Sequence, residues 1–442
     1  MCGVAVATAF FFGSLKRYEL ALALLIVSPW FHWAFASNEE SSLLEAVEET
    51  GPATYIRLGL VMLVGAVGYM RYANDCLDRT EPLPKRFVFL ALFFTGALFS
   101  TAYSIAKDFT FIRATESLVF LGFLLGLNGW LTNRAALDRA LNTVVLLVSG
   151  AVALNLASIT LFPGRAWWWE APNRFQGLMN QPNELGMFCM IAYPLLMWRF
   201  RRGGVVAKAA TAAVFCAALG MHVLSGSRSS FLCAAVGFAL WHLVLGQRMK
   251  LALLCTLLGV GITLVSTSLI PSLERNESEK LTDLTGRDEF WRNGAALVAQ
   301  RPLQGYGYQV SGMVWNDPRF ATESLENSWS SARASLHNGY LDTLIGLGFI
   351  GLLAWVAILV MPIPSVLRLP SSDYKALALV MLLQVMQLNF AETVITSSRS
   401  YGSIVFWCFW VIGGRLPALM AAPEADAQPQ VPTIEPVAVS IP

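Results

Sequence analysis

The sequence predicts an all-α polytopic membrane protein with about twelve transmembrane helices and one long, partly helical outer loop. Three observations carry that prediction. Of 442 residues, 55% are hydrophobic and only 14% charged, and the mean hydropathy is +0.55. Apolar runs of about 17 to 25 residues recur along the chain, each long enough to cross roughly 30 Å of hydrocarbon. In lipid such runs satisfy their backbone polar groups as helices.

Spans are expected near residues 18–36, 55–74, 87–106, 114–132, 140–162, 184–200, 205–224, 229–246 and 250–270, then near 340–361, 376–396 and 400–416. An even number returns both ends to one side. Residues 3–15 are apolar but too short to span and fit an interfacial or re-entrant piece. The chain thus divides into nine spans (1–270), a long loop (271–337), three more spans (338–416) and a tail (417–442) whose Pro, Ala and Val content lacks helical period and reads as disordered. No internal repeat is visible, and the first span can itself direct insertion without a cleavable signal.

Orientation follows from Lys and Arg in the short loops. The side of Lys16 and Arg17 also collects Arg71, Arg79, Lys85, Arg86, Arg134, Arg139, Arg199, Arg201, Arg202, Lys208, Arg248, Lys250, Arg368, Lys375 and Arg415, seventeen in all. The other side holds seven: Arg57, Lys107, Arg113, Arg165, Arg174, Arg228 and Arg399. Both termini are therefore expected in the cytoplasm, with the acidic "SNEESSLLEAVEET" and the long loop outside.

Composition also excludes function classes. A net charge of +2 and no basic patch interleaved with aromatics argue against nucleic acid. Six cysteines lie in apolar stretches, Cys76 sits in a basic loop, and C-x-x-C, H-x-x-x-H and D-x-D are absent. No disulfide framework, metal site or cofactor is expected.

The outer loops carry the polar chemistry. In "GSRSS" (226–230) small residues free backbone N–H groups beside Arg228 in a concavity suited to an anion; a polar turn with one snorkelling arginine is the alternative. In "TGRDEFWRNGAALVAQRPLQGYG" (285–307), Thr285 and Asp288 form an acidic variant of the capping box. Phe290, Leu297 and Val298 give an apolar stripe with Gly294 between them, and Pro302 follows the end. Arg287 stands in the first turn, where the helix dipole disfavours a cation unless an anion is present. His337 opens "HNGYLDTLIGLGFIG". Asn338 is the better helix cap, which leaves the imidazole without a structural task; histidine as a residue type, with its unperturbed value near 6.5, suits proton abstraction at neutral pH. "WWWEAPNRFQGLMNQPNELG" (167–186) sets three tryptophans, suited to a membrane interface or to a sugar or lipid path, beside Arg174, Gln181 and Asn183. "FAETVITSSRSYG" (390–402) brings Glu392 and Arg399 to the same face. A diphosphate handled there would be neutralised by guanidinium groups rather than Mg²⁺.

In order and spacing, S-x-S-R between two spans, T-G-R before a tryptophan-bearing helix, "PLQGYG" and "HNGYLDTLIGLGFIGLLAW" resemble the O-antigen ligase and Wzy polymerase superfamily of bacterial inner-membrane glycosyltransferases, most of all its ligase branch. The resemblance covers about residues 165–415; the earlier spans match in hydropathy alone. It implies a GT-C-like fold and a metal-independent enzyme. Such an enzyme moves a glycan from undecaprenyl diphosphate to a lipid A core sugar on the periplasmic side, completing lipopolysaccharide. It further implies Arg228 and Arg287 as the diphosphate-binding pair and His337 as the general base or the residue that orients the acceptor. Arg174, Ser227, Gln181, Asn183, Asn338, Glu392 and Arg399 form the expected substrate-binding set. Partners are then the lipid-linked glycan, the lipid A core and membrane lipid. The alternatives are a Wzy-type polymerase, a protein O-oligosaccharyltransferase, which usually carries more sequence after its last span, and, outside the superfamily, an organic-anion transporter.

Overall fold

The structure, a computed structural model, describes residues 17–28, 52–78, 83–168, 171–250, 287–315, 319, 337–396 and 400–421. A helix overlaps each expected span range that falls there, although the one expected at 376–396 ends at Leu388: α1 (Tyr18–Val27), α2 (Pro52–Asp78), α3 (Lys85–Phe99), α4 (Lys107–Trp130), α5 (Arg134–Leu161), α6 (Pro182–Arg202), α7 (Val205–Ser225) and α8 (Arg228–Val244). After α9 (Arg287–Gln300) of the long loop come α10 (Gly339–Val360), α11 (Asp373–Leu388) and α12 (Tyr401–Ala421). Six helical segments among the described residues are long and apolar enough to cross a membrane, by length and composition. The expected span at 250–270, the piece at 3–15, the acidic stretch and the tail beyond 421 lie outside the described residues.

One short strand pair accompanies the helices among the described residues. Trp167–Trp168 and Ala171–Phe175 pair as a short antiparallel hairpin, β1 and β2, with Trp167 opposite Phe175. Aromatic and β-branched side chains suit a pleated ribbon, and the Trp167 and Phe175 rings meet edge to face at 5.4 Å. The tryptophan run thus contributes a ribbon as well as aromatic surface.

Burial sorts the helices by sequence. α6, α11 and α12 are apolar nearly all round and are sealed in the centre; Trp198, Trp407 and Trp410 are fully buried. On α5, α8 and α10, Leu146, Leu232 and Leu353 point outward, the apolar face a lipid-facing helix presents. The basic ends gather as expected. Arg201 pairs with Asp373 at 2.6 Å and Arg202 with Asp138 at 3.5 Å, while Arg415 donates to the Leu131 carbonyl.

At the opposite end the "PLQGYG" segment locks into a break in α10. Gly348, at φ 66° and ψ −171°, interrupts the helix. Phe349 N–H, which would bond the Ile345 carbonyl in an unbroken helix, donates instead to the Pro302 carbonyl at 2.8 Å. Tyr306 N–H takes the Ile345 carbonyl at 3.0 Å and Gly307 N–H the Gly346 carbonyl at 2.8 Å. Irregular backbone at membrane depth persists where protein satisfies it, and here the segment does so. Ser100 and Tyr103 hold its other side, Ser100 Oγ accepting from Tyr308 N–H and Tyr103 Oη donating to the Gln304 carbonyl. α9 rests on α10 with Leu297 and Val298 buried, the stripe its periodicity predicts. Its Gly294 touches Leu341, where a Cβ would crowd the leucine.

Gly305 sits at φ 68°, and a Cβ there would strike the Ile345 and Gly346 carbonyls. Gly305→Ala therefore destabilises by more than about 1 kcal/mol. The expected result is a lowered thermal midpoint in detergent, whereas Gly150→Ala, in open space on α5, leaves it unchanged or raised.

Candidate functional site

His337 precedes α10 at φ 47°, a left-handed conformation uncommon for a non-glycine residue and frequent at functional positions. Asn338 is the cap the sequence predicts: its side-chain oxygen accepts from Tyr340 N–H at 3.1 Å and Leu341 N–H at 3.0 Å. The imidazole turns the other way. Its Nδ1 lies 2.8 Å from Glu392 Oε2, with His337 26% and Glu392 13% exposed.

A carboxylate accepts only, so the Nδ1–H donates to Glu392. Neutral imidazole then carries its lone pair on Nε2. The other Glu392 oxygen accepts from Asn183 Nδ2 at 3.1 Å, and Asn183 Oδ1 accepts from Arg174 Nη2 at 2.9 Å. Arg174 also donates from Nε to the Ser225 carbonyl at 2.9 Å, at the C-terminus of α7 where a cation is favoured. Four residues from three distant segments thus form one line: Arg174, Asn183, Glu392, His337.

Each member has a local scaffold. In β2 side chains alternate, so burial of Phe175 against the bundle leaves Arg174 facing the site. Asn155, buried in α5, accepts from Leu178 N–H at 2.8 Å and ties down the turn that leads into α6. Asn389, at the end of α11, fixes the segment carrying Glu392. Its side-chain oxygen accepts from Val394 and Ile395 N–H, both at 3.0 Å, and its carbonyl accepts from Gly339 N–H at 2.8 Å. The sequence reading missed Asn155 and Asn389. The signal was there in kind, since a buried asparagine in an apolar helix needs partners, but nothing in the sequence says which.

The Ser225–Arg228 turn differs in detail from the open concavity expected. Gly226, at φ 61°, ends α7, and its N–H bonds the Val223 carbonyl. Ser227 N–H is taken by Ser225 Oγ at 3.3 Å. Two of the turn's donors are therefore used internally. Ser227 is 1% exposed and packs with Ser230 against Gly186 of α6, so its side chain lines a helix seam. Arg228 opens α8 from the same turn that Arg174 contacts at Ser225. Behind it His222 bridges Tyr193 Oη at 2.9 Å and Ser230 Oγ at 2.7 Å, and Ser230 in turn bonds the Ser227 carbonyl.

Gln181 stands half-buried at the start of α6, two residues before Asn183. Arg287 is the first described residue of α9, roughly 10 Å along the helix from Gly294; its side chain, Thr285 of the expected cap, and Arg399 lie outside the described residues.

Residues 211–356 match the family model described as O-antigen ligase. The match covers most of α7, all of α8, the described part of the long loop and most of α10, and supports the O-antigen ligase and polymerase superfamily and, coarsely, an integral-membrane glycosyltransferase. No curated protein matches the chain.

Asn389→Ala would orphan the N–H groups of two buried residues, at a cost of about 1–3 kcal/mol each. The expected outcome is a clear fall in thermal midpoint, with Asn389→Asp, which keeps the accepting oxygen, recovering most of it.

Proposed function

We infer that the protein is an O-antigen ligase, a metal-independent inverting glycosyltransferase. It moves O-antigen polysaccharide from undecaprenyl diphosphate to a lipid A core sugar hydroxyl at the periplasmic face of the bacterial inner membrane. The observation that carries this reading is the His337–Glu392 pair, in which Nδ1 faces the carboxylate at 2.8 Å and the ring stands at a partly exposed position. The family match over residues 211–356 includes both the Arg228 turn and His337. The lysine and arginine asymmetry supports an outward-facing position for this end of the bundle, on the side where no nucleotide is available.

In the proposed reaction the acceptor hydroxyl gives its proton to His337 Nε2 while its oxygen attacks the anomeric carbon from the side opposite the diphosphate. The carbon–oxygen bond to the diphosphate breaks, the electron pair leaves with the diphosphate, and configuration inverts. Glu392 holds the imidazole tautomer and stabilises the imidazolium as it forms. Arg228 and Arg287 stabilise charge growing on the leaving group. Arg174 acts through Asn183 on Glu392, as a positioning residue first and a substrate contact second. Lipid diphosphate is already a good leaving group, so orientation supplies much of the acceleration.

His337→Ala is expected to lower transfer from a lipid-linked donor by about 10²- to 10⁴-fold while the protein still inserts and binds undecaprenyl diphosphate. Wild-type turnover by that variant would remove the base assignment. Glu392→Gln should lower kcat by about 10²-fold or more with the donor KM little changed. Transfer should persist in excess EDTA; a loss there that Mg²⁺ or Mn²⁺ restores would overturn the metal-independent reading.

A further inference from the structure

Next to the His337–Glu392 pair lies a cavity of about 320 Å³, within the size range of small-molecule sites. Its walls come from four segments distant in sequence: the start of α4, residues 308–313, the first two turns of α10, and residues 393–396. None of the residues assigned above to the reaction lines it. Asp342 does, and it is only 9% exposed.

One Asp342 oxygen accepts from Thr393 Oγ1. Ser311 of the cavity wall also stands beside this carboxyl, yet the other oxygen, Oδ1, accepts no hydrogen bond of good geometry among the described residues. A carboxylate oxygen so poorly satisfied in so buried a place is costly, and a ligand hydroxyl would complete it. Thr393 follows Glu392 directly, so the contact that fixes Asp342 also ties the cavity wall to the segment that orients His337. Across the space stand Arg113, which pairs with Glu116 at 3.5 Å, and the rings of Phe109 and Tyr308. Gln309 is held at φ 60° with its side-chain amide donating to the Thr396 carbonyl, a second left-handed non-glycine residue beside this one site.

The chemistry of the lining selects its ligand. A buried carboxylate repels phosphate, which argues against the donor's diphosphate. It welcomes hydroxyl donors. Aromatic faces beside a carboxylate and a guanidinium fit a neutral, hydroxyl-rich ring, whose C–H face packs on the aromatics while its hydroxyls reach the charged groups.

We propose that this cavity binds the sugar ring of the acceptor, with Asp342 Oδ1 accepting from a ring hydroxyl and so setting which acceptor hydroxyl reaches His337. The assignment rests on the glycosyl-transfer reading for its name as an acceptor subsite, but saccharide binding itself does not require transfer.

The test uses the full-length protein in lipid nanodiscs, with two probes: deacylated core oligosaccharide and undecaprenyl diphosphate. Asp342→Asn removes the charge at constant shape, and Met313→Trp fills the cavity from another wall. Each is expected to weaken core-oligosaccharide binding, and to raise the acceptor KM, by about tenfold or more, with undecaprenyl diphosphate bound as in wild type. The proposal is overturned if the wild-type protein binds no core oligosaccharide, if both variants handle it like wild type, or if diphosphate binding falls in step. Saccharide binding that depends on Asp342 without any transfer would sink the ligase reading and leave this site standing. Transfer with an acceptor KM indifferent to both variants would do the reverse.

Discussion

The break in α10 at Gly348 is the constraint from which the rest of the site end follows. A helix interrupted inside a bundle exposes carbonyls that lipid cannot satisfy, and Ile345 and Gly346 give theirs to Tyr306 and Gly307. That exchange pins residues 302–309 between α10 and the turn joining α3 to α4. It fixes one wall of the cavity and holds the first turns of α10, with His337 ahead of them, against the end of α11.

The polar line from Arg174 to His337 is the second level of order. Both oxygens of Glu392 are bonded, so neither it nor the imidazole can swing freely. Such a line shifts the burden of orientation away from the exposed imidazole and onto buried asparagines: Asn155 beneath the hairpin and Asn389 beneath Glu392. The fully buried Tyr193–His222–Ser230 chain does the same under the Arg228 turn. Nucleophile-like as that triad appears, its histidine is wholly enclosed, and its contacts serve the backbone of the turn.

Much of the fold was legible in the sequence because lipid imposes a simple code. Helix positions followed from apolar run lengths, the α9 stripe from period, and the Asn338 cap from residue type. The basic end followed from charge, and Arg201–Asp373 and Arg202–Asp138 pair there. The hairpin at the tryptophan run escaped because aromatic residues suit a membrane interface and a strand equally well. "PLQGYG" announced a turn after a helix, but its role in repairing α10 depends on a break that a run of glycines and leucines does not reveal.

By itself the sequence determined what each segment can be, since hydropathy, capping and charge act over a few residues. Tertiary structure decided what touches what. Glu392 lies 55 residues from His337 and 209 from Asn183, and Asp342 meets Thr393 across 51. Hydrogen bonds act over about 3 Å, so pairings between such distant residues exist only once helices pack, and no local pattern encodes them.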